Sequence, residues 1–266
     1  MTPLQYALGA LSGTAVGFTL GLVGGGGGGS ILAVPLMVYL VGVQDPHVAI
    51  GTSALAVAVN AVIGLSSHAR QHTVKWRCAT TFAAAGVGGA WVGAMFGKAI
   101  GGQQLLALFA VVMLVVAARM VVARGQLGDA SVVLNRGNAP KLVASGTVTG
   151  LLSGFFGIGG GFLVVPGLMA STGMPVLFAV GSSLVAVGSF GLTTALSYAA
   201  SGLVAWTLAL AFIAGGTLGS VLGARAAIRL ADRKGALTLV LAGLITVVAV
   251  YMLSQSAPVR AWFHLL

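Results

Sequence analysis

The chain has 266 residues, of which 58% are hydrophobic and only 6% are charged. Its mean hydropathy is +1.07, and apolar stretches of about 20 residues, the length that a membrane-spanning helix needs, recur throughout. This excludes a soluble domain and predicts one integral membrane domain over residues 1–266. The net charge of +10 does not indicate nucleic-acid binding, because the basic residues lie in short loops between apolar segments, where the positive-inside rule expects them.

Turn residues separate a series of apolar segments along the chain. These segments cover residues 4–23, 30–42, 47–66, 78–97, 103–122, 141–156, 162–172, 176–199, 203–224 and 235–254. Asp45 followed by Pro46 is the pattern of a helix N-cap and first helical residue, and Pro175 is expected to open the equivalent later helix. The sequence therefore predicts an all-α polytopic membrane protein with about 8–10 helical membrane segments.

The chain contains an internal repeat. The segment GTAVGFTLGLVGGGGGGSILAVPL, which begins at Gly13, resembles GTVTGLLSGFFGIGGGFLVVPGL, which begins at Gly146. From Gly51 to Ala94 the two copies keep an offset of 130 residues without a gap. Two weakly similar halves in an apolar chain are typical of transporters whose binding site forms between the halves. We expect repeat 1, a cytoplasmic linker and repeat 2 at about 5–123, about 124–140 and about 141–255.

Glycine runs at 24–29 and 157–161 interrupt the first element of each repeat. If each run turns the chain back, the repeats are inverted, eleven of the thirteen Lys and Arg share one side, and only Lys98 and Arg260 fall opposite. If each run is a kink in one crossing helix, the split becomes 7 to 6. The positive-inside rule favours two inverted repeats, with a glycine-broken first element in each and both termini outside the cytoplasm. The first basic residue is Arg70, so the amino terminus lacks the positive region of a signal peptide. We therefore expect helix 1 to remain in the mature protein.

Glycines at a spacing of four residues form a stripe along the first helix of each repeat, where they allow a neighbouring backbone to approach closely. The stripes are Gly9, Gly13, Gly17 and Gly21, and Gly146, Gly150 and Gly154. We interpret these stripes as packing surfaces.

The glycine runs are different, because they leave backbone N–H and C=O groups unpaired at membrane depth. Helices that resume after each run would direct free N–H groups and positive dipole ends into the break. A tight glycine turn without a ligand is the alternative. We expect an anion-binding cradle made by Gly26, Gly27, Gly28, Gly29, Ser30, Gly159, Gly160 and Gly161.

Polar side chains on the following helices are further candidates for substrate contact. They are Thr52, Ser53, Asn60, Ser182 and Ser183, and the two hydroxyl pairs recur in both repeats. The alternative is that each hydroxyl bonds a carbonyl of its own or a neighbouring helix. His68 and Arg70 end the first of these helices, and whether they gate an anion or only determine topology stays open.

The charged residues favour an anion as the substrate. The chain has no glutamate, and Asp45, Asp129 and Asp232 fall near segment ends or in loops. A carrier of cations or protons usually keeps an intramembrane carboxylate.

Cys78 is the single cysteine, which excludes an intrachain disulfide and a cysteine metal cluster. Without a metal cluster, a catalytic triad or a carboxylate pair, we expect neither enzymatic activity nor a cofactor.

Over about residues 5–255 the chain resembles the sulfite exporter TauE/SafE family of bacterial membrane transporters. The resemblance rests on GIGGGFLVVPGL with its degenerate partner GGGGGGSILAVPLM, on GTSALAVAVNAVIG after a proline-opened helix, and on the glycine-rich stretches at 86–94 and 216–224. It implies a carrier of eight or so helices in the bacterial inner membrane, with a sulfur-containing anion such as sulfite, a sulfonate or a sulfur oxyanion as substrate. The six-glycine run departs from the usual pattern, which has an apolar residue among the glycines as at Ile158.

These observations favour a secondary carrier of a small anion, because no nucleotide-binding motif is present to power transport. An anion channel and a non-transporting scaffold or accessory membrane subunit are the alternatives. The expected partners are the anion and the lipid bilayer, with a homodimer as one possible oligomeric state, and nucleic acid is not among them.

Overall fold

The computed structural model describes residues 2–23, 30–122, 132–157, 159–229 and 234–255. Helices make up nearly all of these residues, and none of them lies in a strand. The helices are α1 Pro3–Val23, α2 Ser30–Leu40, α3 Pro46–Arg70, α4 Trp76–Ala99, α5 Gly102–Val122, α6 Ala139–Phe156, α7 Gly161–Thr172, α8 Val176–Ala199, α9 Trp206–Arg229 and α10 Lys234–Gln255. The predicted all-α class is confirmed.

Helix α3 begins where the sequence predicts. Pro46 is its first residue, and the Asp45 carboxylate accepts the backbone N–H of His47 at 2.8 Å. A side-chain acceptor at this position satisfies one of the amide groups that a helix leaves free at its start. In the second repeat Pro175 directly precedes α8 with an extended backbone, and its carbonyl accepts the N–H of Ala179 at 3.0 Å. Proline therefore defines the start of both equivalent helices.

The short helices α2 and α7 correspond in sequence but differ in geometry. Helix α7 is a 12-residue α-helix, whereas α2 combines a 3₁₀ turn at Ser30–Leu32, a helical turn at Ala33–Pro35 and a π-helical stretch at Leu36–Leu40. Twelve residues at a rise of 1.5 Å reach about 18 Å, well short of the bilayer core of about 30 Å. Both elements are therefore too short to cross a membrane.

The longer helices carry the apolar surface of a multi-pass membrane protein. By length and composition, four helical stretches of the described chain are long and apolar enough to cross a bilayer, and they are Pro46–Arg70, Trp76–Ala99, Leu177–Ala199 and Trp206–Gly223. Large side chains on α4 and α9 face outward, with Phe96 61%, Leu210 67% and Leu218 66% exposed. Such a surface is stable when lipid covers it.

Glycine stripes bring helices of the two repeats into backbone contact. A methyl group added at Gly17 of α1 would overlap the carbonyl oxygen of Gly216 on α9. In the same way, a methyl group at Gly150 of α6 would overlap the carbonyl oxygen of Gly86 on α4. Each first helix thus packs on the fourth helix of the other repeat, and the interpretation of the stripes as packing surfaces is confirmed.

Two equivalent helices, α3 and α8, cross at the centre and run in opposite directions. Gly191 near the end of α8 packs against Ala54 near the start of α3, and Gly64 near the end of α3 packs against Leu184 near the start of α8. The 130-residue offset makes these helices counterparts in the repeats. The core of the described fold is therefore built around an antiparallel pair of related helices.

Candidate functional site at the helix crossing

The break between α6 and α7 is a turn-back. A methyl group at Gly160 would lie 2.8 Å from Ser153 Oγ, and one at Gly167 would lie 2.9 Å from Ser145 Oγ. Residues progressively later in α7 therefore lie beside residues progressively earlier in α6. The chain enters this region along α6 and leaves it along α7 in the opposite direction.

The conformation of the turn requires glycine. Gly157, Gly159 and Gly160 have φ values of 69°, 65° and 72°, in the left-handed region that costs other residues about 1–2 kcal/mol each. The carbonyl of Gly160 accepts the N–H groups of Leu163 and Val164, both at 2.9 Å, as α7 begins. Gly161, also a predicted site residue, is the first residue of that helix.

Gly159 lies at the crossing of α3 and α8. A methyl group on it would lie 3.1 Å from Val57 Cγ1 and 3.6 Å from Val187 Cγ1. Val57 and Val187 are repeat counterparts, offset by 130 residues. The second glycine break is therefore placed between equivalent positions of the two repeats, at the centre of the fold.

Three buried polar side chains belong to elements that meet around this crossing, and they find no hydrogen-bond partner within the described part of the chain. They are Ser30, Ser153 and Asn60, which are 1%, 0% and 4% exposed. Ser30 opens α2, whose first turn contacts α7, and Ser153 lies beside Gly160. Unpartnered polar groups in a protein interior are rare and mark places that water or a ligand fills.

The sequence predicted a role for Ser30 and Asn60 but not for Ser153. The available signal was its position one helical turn before the glycine run. The hydroxyl there faces the returning chain, because α7 folds back along α6.

The two repeats place different side chains at one pair of equivalent positions. Asn60 of α3 lies against Gly216, where an added methyl group would overlap the amide. Phe190, its counterpart on α8, lies in the same way against Gly86, the counterpart of Gly216. The site is consequently asymmetric, with an amide on one side and a phenyl ring on the other.

The hydroxyls of Ser53 and Ser183 donate hydrogen bonds to carbonyl groups of their own helices. Ser53 Oγ donates to the carbonyl of Ile50 at 3.0 Å, and Ser183 Oγ donates to the carbonyl of Val180 at 2.7 Å. Both residues are at most 1% exposed. Their lone pairs stay available, but an anion would receive the proton only after this intrahelical bond breaks.

Thr52 and Ser182 connect the repeats. Thr52 Oγ1 accepts the backbone N–H of Ala205 at 3.0 Å, and Ser182 Oγ accepts that of Lys75 at 2.9 Å. Each hydroxyl satisfies an amide that directly precedes α9 or α4 in the described structure. The sequence carried a signal for this role, because both donor and acceptor recur at the same offset of 130 residues.

The antiparallel crossing places the two hydroxyl pairs on opposite sides of Gly159. Ser53 and Ser183 each lie four residues before the central valine of their helix, which separates them by about 12 Å along the helix axes. The structure therefore does not bring the pairs into one cluster, and substrate contact by both pairs stays a prediction.

Other predicted residues lie further away or outside the described structure. Gly26, Gly27, Gly28 and Gly29, which form the first half of the predicted cradle, lie outside the described residues. His68 Nδ1 lies 2.9 Å from Thr73 Oγ1 at the end of α3, and Arg70 is exposed. These contacts are consistent with either of the roles considered for the two basic residues.

Comparison with known proteins agrees with the membrane architecture. The family model described as "Sulfite exporter TauE/SafE" matches residues 9–252. A "Probable membrane transporter protein" of Xylella fastidiosa (strain Temecula1) is 49% identical over 92% of this chain and 94% of its own length. The "Probable membrane transporter protein YunE" of Bacillus subtilis is 29% identical over 83% of this chain and 86% of its own length. No solved structure gives a significant match.

Proposed function

The chain belongs to the sulfite exporter TauE/SafE family and is a membrane transporter, and from this premise we propose that it is a secondary carrier of a small sulfur-containing anion. The observation that carries the proposal is the buried turn-back at Gly159, with the unpartnered polar groups of Ser30, Ser153 and Asn60 on the elements around it. Such a break, set between equivalent helices, is where repeat-built transporters bind substrate.

The donors in this region suit an oxyanion. Two hydroxyls and one carboxamide supply O–H and N–H groups, and a hydrogen bond to a charged acceptor contributes about 1.5–3 kcal/mol. The sequence places its three aspartates near segment ends or in loops. The interior parts of the apolar segments therefore carry no carboxylate that would repel an anion. The description of the family names sulfite, a compact oxyanion.

We also propose that the two repeats cross the membrane in opposite orientations, with both termini in the periplasm of a bacterial inner membrane. The antiparallel packing of α3 and α8 supports this arrangement, as does the 11-to-2 distribution of basic residues. If the two inverted halves exchange their conformations, the binding site opens first to one side of the membrane and then to the other, as a carrier needs.

Cysteine labelling tests this orientation. Ala130→Cys in a Cys78→Ala background should react with a membrane-permeant maleimide but not with an impermeant one added to intact cells or spheroplasts. A cysteine added at the carboxyl end should react with both reagents. Labelling of position 130 by the impermeant reagent would refute the inverted arrangement.

Reconstitution tests the transport function. We expect proteoliposomes that contain the purified chain to release loaded sulfite faster than protein-free liposomes, while the neutral compound dimethyl sulfoxide gains no protein-dependent flux. Ser153→Ala should slow sulfite flux, whereas Ser66→Ala, which removes an exposed hydroxyl donated within its own helix, should not. A deletion strain grown on taurine or cysteate should show reduced sulfite efflux. Equal protein-dependent flux of dimethyl sulfoxide and sulfite would refute an anion carrier.

A further inference from the structure

A second group of buried polar side chains lies near the end of α8. Thr194, Ser197 and Tyr198 are 0%, 2% and 0% exposed, and their hydroxyls find no hydrogen-bond partner within the described residues. Together with Phe190 they follow the i, i+4, i+7 and i+8 spacing of one helix face. A row of free hydroxyls therefore leads away from the crossing at Gly159.

Lys98, at the end of α4, lies beside the last members of this row. Its Nζ donates to the carbonyl of Ser197 at 2.9 Å and to Ser201 Oγ at 3.0 Å. The same Nζ lies 5.7 Å from the centre of the Tyr198 ring. These contacts use two of the three N–H donors of the ammonium group, so the cation is held in place with a donor left over.

His47, in the first turn of α3, also lies beside Tyr198. The centres of the two rings lie 6.3 Å apart, and His47 Nδ1 is buried without a partner among the described residues. Asp45 lies at the rim, exposed, with its carboxylate bound to the backbone N–H of His47. The group thus combines one held cation, unpartnered polar groups and one solvated carboxylate.

Three members of this group have different residue types as their counterparts in the other repeat. The 130-residue offset pairs Tyr198 with His68, Thr194 with Gly64, and Lys98 with Ile228. Tyr198 is eleven residues beyond Val187, which places it about 16 Å along α8 from the crossing. The group is therefore separate from the central break. It is also not a feature that the internal repeat reproduces in both halves.

We propose that Lys98, Ser197 and Tyr198 form a second, outer binding site for an oxyanion. The substrate class rests on the proposed carrier function. The ammonium group attracts the anion, and the free hydroxyls of Tyr198 and Ser197 donate to its oxygens. Asp45 offsets part of the positive charge, so that the anion binds weakly enough to move on, as a transport path requires. Thr194 continues the path toward the crossing.

Lysine labelling in the wild-type chain tests the site directly. Purified full-length protein is treated with an N-hydroxysuccinimide ester in methanesulfonate, sulfate or sodium chloride at equal ionic strength, and each lysine is quantified by peptide mass spectrometry. At a probe concentration of about twice its Kd, an oxyanion should slow labelling of Lys98 about threefold relative to chloride. Exposed Lys141 should react equally in all three salts. Equal labelling of Lys98 in all three salts would overturn the proposal.

Transport kinetics supply a second readout and separate this site from a purely structural lysine. Lys98→Gln should raise the KM for sulfite about tenfold, whereas Lys98→Arg, which keeps the charge, should stay within about threefold of wild type. If Lys98 only stabilises the carboxyl end of α8, its replacement should lower thermal stability, and oxyanions should not protect the wild-type lysine from labelling.

The two proposals fail in different ways. Protection of Lys98 by oxyanions without any sulfite flux would support the outer site and refute the carrier. Sulfite flux with unprotected Lys98, and with an unchanged KM in Lys98→Gln, would support the carrier and refute the outer site. Because labelling uses the wild-type chain, a Lys98→Gln variant that does not fold leaves the decision to the labelling result.

Discussion

Replacing Asn60 by leucine should make the protein more stable and its anion binding weaker. Asn60 is 4% exposed, and both polar atoms of its amide lack a partner within the described residues. Burying such a group without hydrogen bonds costs about 1–3 kcal/mol, and leucine has nearly the same shape without that cost. A site residue that is retained at a cost in stability is expected to serve function.

The two effects have separate magnitudes. Removing the unpartnered amide should raise the free energy of unfolding by about 1–2 kcal/mol, reduced by any misfit of leucine against Gly216. Losing one hydrogen bond from the amide N–H to a charged acceptor should weaken sulfite binding by about 1.5–3 kcal/mol, which is about 10- to 150-fold. Stability and affinity therefore move in opposite directions.

Thermal unfolding of the detergent-solubilised protein, followed by tryptophan fluorescence, and titration calorimetry with sulfite measure these two quantities. Gln104→Leu is the matched control, because it removes an exposed amide from α5 and should change neither. Unchanged sulfite affinity together with lower thermal stability would refute the reasoning, since Asn60 would then be a structural residue whose partners lie outside the described chain.

Three further groups of substitutions test other parts of the fold. Gly159→Leu should abolish sulfite flux without reducing the amount of protein in the membrane. The reason is that φ is +65° at this position and the leucine side chain would meet Val57. Gly27→Leu, in the first glycine run, should have the same effect. Gly150→Val should lower the thermal midpoint strongly, because it separates α6 from α4, whereas Gly88→Ala, where an added methyl group meets nothing within 4 Å, should not. Thr52→Val and Ser182→Ala should each cost about 1–3 kcal/mol of unfolding free energy, measured by reversible unfolding, by leaving a backbone N–H without its acceptor; an equal loss in Ser183→Ala would argue against this bridging role.

The elements and their packing surfaces were readable in the sequence because they depend on local composition. Apolar length gives the helices, the Asp45–Pro46 pair gives the start of α3, and glycines spaced by four residues give the close contacts of α1 and α6. The 130-residue offset also identified α3 and α8 as counterparts. Each of these features is a property of neighbouring residues, or of one comparison between the two halves.

The composition of the site was less predictable, because it depends on how the halves cross. The sequence grouped Thr52–Ser53 with Ser182–Ser183, but antiparallel packing separates the pairs, and two of the hydroxyls accept backbone N–H groups of the other repeat. The one signal for Ser153 in the sequence is its position a helical turn before the glycine run, and only the return of α7 along α6 places it at Gly160. Local patterns do not encode these tertiary relations.

The differences between the repeats bear on how the proposed carrier works. Backbone and glycine contacts recur in both halves, with Gly17 on Gly216 and Gly150 on Gly86, so the framework is close to two-fold. Two polar groups of the proposed sites do not recur, because Asn60 has Phe190 as its counterpart at the 130-residue offset and Lys98 has Ile228. A symmetric framework can offer two access states of similar energy, whereas an asymmetric set of donors gives the two ends of the path different affinities for an anion. The proposed outer site at Lys98 would then determine the side from which the carrier binds its anion more tightly.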